Sequence, residues 1–320
     1  MEVIKNISII FISIFFESIP FLLLGAIISS IIETYISNDQ IAKIIPKNKI
    51  LGSIVGVFLG FFIPACDCAV IPISKRLLKK KVPINVAISF MLASPIINPV
   101  VLLSTYKAFY RSNPEIFWYR LLLGIIISLI IGIIMGIIFN NKQVVINSIL
   151  DEDDKCHCHE DNIDEDFKEL VEDCHEHNLK NDFISICTHT ANDFLEVAKY
   201  LMFGALIASS IQVLIPRSIL VIFNNSQVLS IIVLMIFAYL ISLCSTSDSF
   251  IGKSLLSTFN ESGIIAYLLL GPMIDIKNTI VLLGNYKKKF VWTLISLIFV
   301  VIFIFSILVV ILLWEKSILE

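Results

Sequence analysis

The sequence predicts an all-α membrane protein with about eight transmembrane helices, arranged as two duplicated four-helix halves with broken helices. Of its 320 residues 57% are hydrophobic and only 16% are charged, whereas soluble domains carry about 25% charged residues. The apolar residues form runs long enough to cross a bilayer, which takes roughly 20 helical residues. Short segments of alternating polarity, typical of membrane barrels, are missing from the sequence. We therefore expect a multi-pass protein of the cell (inner) membrane.

Eight apolar runs qualify as membrane spans by length and hydropathy. The first is longer than the apolar core of a signal peptide and contains Glu17, so we expect a retained span. Four spans precede an acidic segment and four follow it, which predicts three regions: 1–140, 141–182 and 183–320. The predicted spans cover residues 7–32, 51–73, 83–106, 116–139, 190–215, 228–250, 262–284 and 290–314.

Three motifs recur in the same order in the two groups of spans. They are offset by 179, 181 and 177 residues, so the register between the halves barely changes. Duplicated halves are common in transporters, which bind their substrate near the midplane where the halves meet. The matched motifs are Glu17 with Glu196, Cys66-Asp67-Cys68 with Ser247-Asp248-Ser249, and the Ser-Pro-Ile-Ile-Asn run ending at Asn98 with the Gly-Pro-Met-Ile-Asp run ending at Asp275.

Helix-breaking and polar residues coincide inside spans 2, 3, 6 and 7. Asp67 and Asp248 lie deep in apolar sequence, where an ionised carboxylate costs at least about 2.5 kcal/mol on insertion scales. Prolines accompany the polar residues in spans 2, 3 and 7, and broken membrane helices are tolerated where they line a cavity. We therefore expect a transport path lined by polar side chains. Its predicted members are Glu17, Asn98, Glu196, Ser247, Asp248, Ser249 and Asp275.

The triplet Cys66-Asp67-Cys68 adds chemical selectivity to this path. Thiolates are soft ligands that favour Cu(I), Zn(II) and, by the same preference, trivalent arsenic. Cysteines two residues apart diverge on a regular helix, but they can converge on a broken turn. We expect these three residues to form a metal or metalloid transport site, with Glu17 or the aspartates exchanging protons. The alternative is that both cysteines are small core residues.

The segment between the two groups of spans is acidic and contains cysteine and histidine. From Asp151 to His177, thirteen acidic residues stand against two lysines, a local charge of −11 in a chain whose total is −3. Because thiolates and imidazoles bind Zn(II) and Cu(I), we expect a second metal site here. A solvated connector without metal is the alternative. The predicted loop ligands are Cys156, His157, Cys158, His159, Cys174, His175 and His177.

Topology, energy source and partners follow less directly from the sequence. The basic residues Lys75, Arg76 and 79–81 favour a cytoplasmic loop between spans 2 and 3, and hence cytoplasmic termini and a cytoplasmic acidic loop. Gly252-Lys253-Ser254 lacks the earlier glycine of a phosphate-binding loop, so we expect no nucleotide site and transport that is coupled to ions or protons. We predict no catalytic residues, no resident cofactor and no nucleic-acid partner. A homo-oligomer or an accessory subunit in the lipid bilayer remains open.

Three runs resemble a known family: Pro64 to Pro72, Ala93 to Pro99 and Gly271 to Asp275. They are similar to the predicted permeases that include organoarsenical efflux permeases and copper/zinc efflux transporters. The resemblance covers both membrane halves but not the acidic loop. It implies heavy-metal resistance through efflux from the cytoplasm, with a cysteine pair at Cys66 and Cys68. Asp67 stands where a small residue is expected.

The residues alone leave two other functions open. A membrane thiol or metal-dependent enzyme could use Cys66 and Cys68, although no Cys-x-x-Cys motif of redox enzymes is present. A membrane subunit of a multi-component transporter would use the acidic loop to dock its partner.

Overall fold

A computed structural model describes residues 2–35, 46, 48–63, 65–139, 144, 179–214 and 226–319. Every regular element among these residues is an α-helix, which confirms the predicted all-α fold. The helices are α1 (Glu2–Tyr35), α2 (Lys49–Phe62), α3 (Val70–Lys79), α4 (Ile84–Ile97), α5 (Pro99–Phe109), α6 (Glu115–Ile138), α7 (Leu179–Leu214), α8 (Gln227–Ile241), α9 (Ser245–Leu255), α10 (Glu261–Met273), α11 (Ile276–Asn285) and α12 (Lys288–Leu319).

Each predicted span corresponds to one long helix or to one pair of shorter helices. In the described part of the chain, six stretches are long and apolar enough to cross a membrane, and α2 and α8 are shorter apolar helices. Each group of four spans follows one pattern: a long helix, two broken helices and a final long helix. The repeat predicted from sequence is thus visible in the order of the helices. Most of the predicted central region 141–182 lies outside the described residues, so its bounds stay a prediction.

The breaks in spans 3 and 7 follow directly from local chemistry. Asn98 leaves the helical conformation (ψ 132°) because it precedes Pro99, which then begins α5. In span 7 the extended residues Ile274 and Asp275 separate α10 from α11. Pro95 and Pro272, by contrast, lie inside α4 and α10. A proline near a helix end therefore weakens the helix, and the following polar cap completes the break.

The broken spans 3 and 7 form the centre of the bundle. All fourteen residues of α4 are buried, as is every residue of α10 from Ser262 to Met273. The long helices α1, α6, α7 and α12 instead carry exposed large apolar side chains, such as Phe16, Phe203 and Ile304. The broken spans with their polar caps lie inside, and apolar faces of the long helices lie outside, which is the arrangement that a bilayer requires.

Small residues allow α2 to pack closely on α4. A Cβ atom added at Gly56 would lie 2.4 Å from the Val86 carbonyl oxygen, and one added at Gly60 would lie 2.9 Å from the Ser94 nitrogen. The close approach of backbones at such positions is a main source of helix association in lipid. Small residues also allow α6 to approach α4 closely, since a Cβ at Gly124 would lie 2.6 Å from the Ile96 side chain.

We expect Gly56→Ala to lower the thermal stability of the detergent-solubilised protein. The new methyl group meets backbone rather than a movable side chain, and overpacking of this kind costs about 1–3 kcal/mol. Ile54→Ala on the exposed face of the same helix (47% exposed) is the control and should leave the unfolding temperature nearly unchanged. Equal shifts for the two variants would contradict the close α2–α4 packing.

Candidate transport site

The break in span 2 holds the predicted triplet. Ile63 is extended at the end of α2, and the next helix starts only at Val70, so Cys66, Asp67 and Cys68 lie in an irregular turn. The Cys66 carbonyl oxygen accepts hydrogen bonds from the backbone N–H groups of residues 69 and 70, which starts the next helix. Both cysteines line one pocket beside this turn. Both cysteines are free.

A small pocket of about 30 Å³ opens beside this turn, between the two halves. Glu17 on its wall is exposed, whereas Asp67 and Cys68 are each only 3% exposed. The second half contributes the break of span 6 and one lysine. The lining residues are Ile14, Glu17, Ser18, Phe21, Cys66, Asp67, Cys68, Ser242, Leu243, Cys244 and Lys277.

Lys277, which the sequence reasoning overlooked, is the cation of this pocket. Its ammonium nitrogen lies 3.6 Å from an Asp67 oxygen and 3.5 Å from an Asp275 oxygen, and the residue is 3% exposed. The available signal was a lysine two positions after an intramembrane aspartate, in a span where charge is expensive. The ammonium therefore joins carboxylates from both halves.

Hydrogen bonds tie the turn to both halves. The Ser245 hydroxyl of α9 donates to Asp67 over 2.9 Å. The Cys68 thiol donates weakly to the Ser18 hydroxyl on α1 and to the Asn278 side-chain oxygen on α11, at 3.9 and 4.0 Å. The triplet is thus held at the junction of the halves, where duplicated transporters bind their substrates.

Asn98 and Asp275 occupy equivalent positions in the two halves. Each caps the helix that follows its break: Asn98 accepts from the Val100 N–H at 3.0 Å, and Asp275 accepts from the Asn278 N–H at 2.6 Å. Both are buried, at 6% and 0% exposure. Only Asp275 reaches the pocket cluster, through its contact with Lys277.

The serine triplet is arranged differently from the cysteine triplet. The break in span 6 is formed by Ser242, which has a left-handed conformation (φ 51°), and by the two residues after it. The helix α9 then begins at Ser245, so Ser247-Asp248-Ser249 lies in its first turns rather than in the break. Ser247 is half-buried and is not among the pocket-lining residues.

Asp248 and Ser249 belong to a second buried polar cluster, around Arg120 of α6. Arg120 is fully buried and donates to the hydroxyls of Thr105 and Ser249, both at 2.7 Å. The Tyr267 hydroxyl donates to Asp248 at 2.9 Å, and the other Asp248 carboxylate oxygen has no hydrogen-bond partner among the described residues. Arg120 was also overlooked, although it is an intramembrane arginine. The two clusters meet at Ser245, whose carbonyl oxygen accepts from Arg120 at 3.4 Å.

No group of three or more His, Cys, Asp or Glu side chains placed to hold a metal occurs in the part of the chain that the structure describes. The seven predicted loop ligands, between positions 156 and 177, lie outside the described residues. The predicted metal ligands therefore stay predictions. The pocket brings together the thiols of Cys66, Cys68 and Cys244, the carboxylates of Glu17 and Asp67, and the Lys277 ammonium.

Comparison with known proteins places this arrangement in a family. Residues 3–311 match ArsP_1, described as a predicted permease. The chain belongs to this permease family. A relative in Streptococcus mutans, named as a candidate subunit of a two-component membrane permease complex, is 37% identical over 94% of this chain and 93% of its own length. The UPF0718 protein YcgR of Bacillus subtilis is 40% identical over 94% of this chain and 95% of its own length. No solved structure matches.

The two halves of the permease are also joined by a double ion pair between α3 and α7. Arg76 contacts both Asp193 carboxylate oxygens, at 2.8 and 3.0 Å, with both side chains buried. Lys75 contacts both oxygens of Glu196, at 2.6 and 2.8 Å. Glu196 therefore lies in a salt bridge away from the pocket, unlike its repeat partner Glu17. Two of the basic residues used to predict the membrane orientation are thus neutralised inside the protein, and that orientation stays a prediction.

Removing one partner of the Arg76–Asp193 pair should destabilise the permease more than removing both. Asp193→Asn alone removes the carboxylate that pairs with buried Arg76, and such losses are about 3–5 kcal/mol in buried pairs. The double variant Arg76→Gln/Asp193→Asn should recover much of the loss in thermal unfolding. Lys75→Gln should lower the unfolding temperature less than Asp193→Asn, since the Glu196 side chain that Lys75 pairs with is 34% exposed. Additive losses in the double variant would contradict this interpretation.

Proposed function

We propose that this permease exports a soft metal or metalloid ion from the cytoplasm, with Cu(I), Zn(II) and trivalent arsenicals as the candidate cargo. The observation that carries the proposal is the pair of cysteines in a helix break that faces a pocket between the halves. Thiols bind these ions in preference to Mg²⁺ and Ca²⁺. The position of the pocket between the halves of a membrane permease supports transport of the bound ion rather than its storage.

The two cysteines take different roles in this proposal. Cys66 is half-buried at the pocket and can receive the ion, whereas Cys68 is buried against α1 and α11. An ion bridged between them contacts elements of both halves. Movement of one half against the other then exposes the ion to the opposite side, as in other duplicated transporters.

Proton exchange is the proposed energy source. Glu17 is an exposed carboxylate on the pocket wall, and Asp67, Asp248 and Asp275 are buried carboxylates near the same junction. Intramembrane carboxylates are the usual members of proton relays in transporters. Protons that enter against the outward ion flow would compensate the charge that the ion carries.

Replacing the thiols should abolish export. In a metal-sensitive host, cells with Cys66→Ser/Cys68→Ser should retain as much Cu, Zn or arsenic as cells without the permease, because hydroxyls do not replace soft ligands. Cys187→Ser, an exposed position on α7, is the control and should export like the wild type. Intracellular metal content is measured by mass spectrometry. Equal content in wild-type and double-variant cells for every ion would overturn the proposal.

In an alternative function, this chain is one subunit of a multi-component transporter. The name of the Streptococcus mutans relative, which refers to a two-component complex, favours this alternative. The acidic loop offers a docking segment with a charge of −11.

A membrane thiol enzyme is a further alternative, in which Cys66 and Cys68 would cycle between oxidised and reduced forms during turnover. Thiol trapping during export distinguishes that enzyme from a permease.

Deleting residues 151–177 tests whether the chain transports by itself. We expect the deletion variant, purified and placed in liposomes, to retain export of the ion that the wild type carries, because the pocket is built entirely from the membrane halves. A variant that lacks residues 315–320 is the control for the effect of shortening the chain, and it should also retain export. Complete loss of export in the 151–177 variant alone would assign an essential docking or capture role to the loop.

A further inference from the structure

Lys277 occupies the position where a cation in the pocket would be held. Its ammonium lies between Asp67 of the first half and Asp275 of the second, at 3.6 and 3.5 Å. It lines the same pocket as Cys66 and Cys68. At 3% exposure it has little contact with solvent, so the two carboxylates are its main compensation.

The backbone of Lys277 is held in place while its side chain is long and flexible. Its N–H donates to the Ser242 hydroxyl at 3.4 Å. A Cβ atom added at Gly204 of α7 would lie 3.0 Å from its carbonyl oxygen, so the absence of a side chain at Gly204 helps α7 to approach this closely. The ammonium at the end of a four-carbon chain can therefore move without moving the helix.

A cargo cation and this ammonium compete for the same negative charge. Two like charges a few ångströms apart repel strongly in a site with a low effective dielectric constant. Ions bound by oxygen, such as Mg²⁺ and Mn²⁺, need the carboxylates that Lys277 occupies. An ion bound by sulfur takes the thiols as its ligands and does not need the carboxylates, but its positive charge displaces the ammonium from Asp67 while it is bound.

We propose that Lys277 is a tethered counter-ion that excludes oxygen-binding divalent cations from the pocket and expels the cargo when its ammonium returns to Asp67. The proposal rests on the pocket being the transport site of the proposed function. Lys277 thereby determines which cations enter the pocket and also promotes release of the cargo. It acts on the cargo through charge rather than as a ligand.

The test compares Lys277→Met with Lys277→Arg in the purified full-length protein, using Mn²⁺ as the probe. Methionine keeps the length and removes the charge, so Asp67 and Asp275 become available and Mn²⁺ should bind at least about tenfold more tightly than to the wild type. Electron paramagnetic resonance measures bound Mn²⁺. Lys277→Arg should bind Mn²⁺ as weakly as the wild type. Unchanged Mn²⁺ binding in folded Lys277→Met protein overturns the proposal.

A second variant covers the case in which Lys277→Met does not fold. Lys277→Met/Asp67→Asn removes one charge of each sign and keeps the net charge of the cluster. We expect it to fold but to export the soft ion at less than about a tenth of the rate of the single variant Asp67→Asn, which also lacks the carboxylate but keeps the ammonium. Export at the rate of Asp67→Asn in this variant refutes the role of Lys277.

The Mn²⁺ measurement separates this inference from the proposed function. The gain of Mn²⁺ binding depends on the two carboxylates and should persist in Cys66→Ser/Cys68→Ser/Lys277→Met protein. If the wild type exports no soft ion but the gain is observed, the function proposal fails and the counter-ion role stands. If the wild type exports a soft ion and the gain is missing, only the counter-ion role fails.

Discussion

Compensation of buried charge in a medium that cannot solvate it is the constraint on which this structure depends. An uncompensated ion at membrane depth is costly, yet the permease buries Asp67, Lys277, Asp275, Arg120 and Asp248. The breaks in spans 2, 6 and 7 bring these groups together, because irregular backbone lets side chains from different helices converge. The pocket and the charges are thus one feature: the breaks that create the cavity also carry the ions that line it.

The duplicated halves have diverged in chemistry while keeping their order of helices. In the first half the cysteine triplet lies in a break and faces the pocket, whereas the serine triplet lies at the start of α9 and serves the Arg120 cluster. Glu17 lines the pocket, but its repeat partner Glu196 pairs with Lys75. The first half therefore supplies the Cys66 and Cys68 thiols, and the second supplies the Cys244 thiol, the Lys277 ammonium and the Ser245 hydroxyl that donates to Asp67. Such asymmetry lets a symmetric framework hold one chemically specific site.

Much of this arrangement was predictable because insertion into lipid leaves clear marks on a sequence. The eight spans, the breaks near Cys66, Asn98 and Asp275, and the two halves all follow from hydropathy, proline positions and repeat spacing. Lys277 and Arg120 were missed, although each is a charged residue in an apolar span. Both could have been predicted, because a carboxylate buried at membrane depth needs a cation near it to compensate its charge. Ser245, which donates to Asp67, carries no signal in the sequence because serine is common in membrane helices.

The sequence by itself determined the class of the protein, the number and order of its spans and the presence of polar breaks within them. These properties depend on local hydropathy and backbone chemistry, which are written along the chain. Only the tertiary structure decided which polar groups share a site: that Asp67 meets Lys277 and Ser245, that Asp248 lies beside Tyr267, and that Glu196 turns to Lys75. Each of these pairs joins different helices, and charge compensation between helices depends on their packing rather than on the spacing of residues along any one of them.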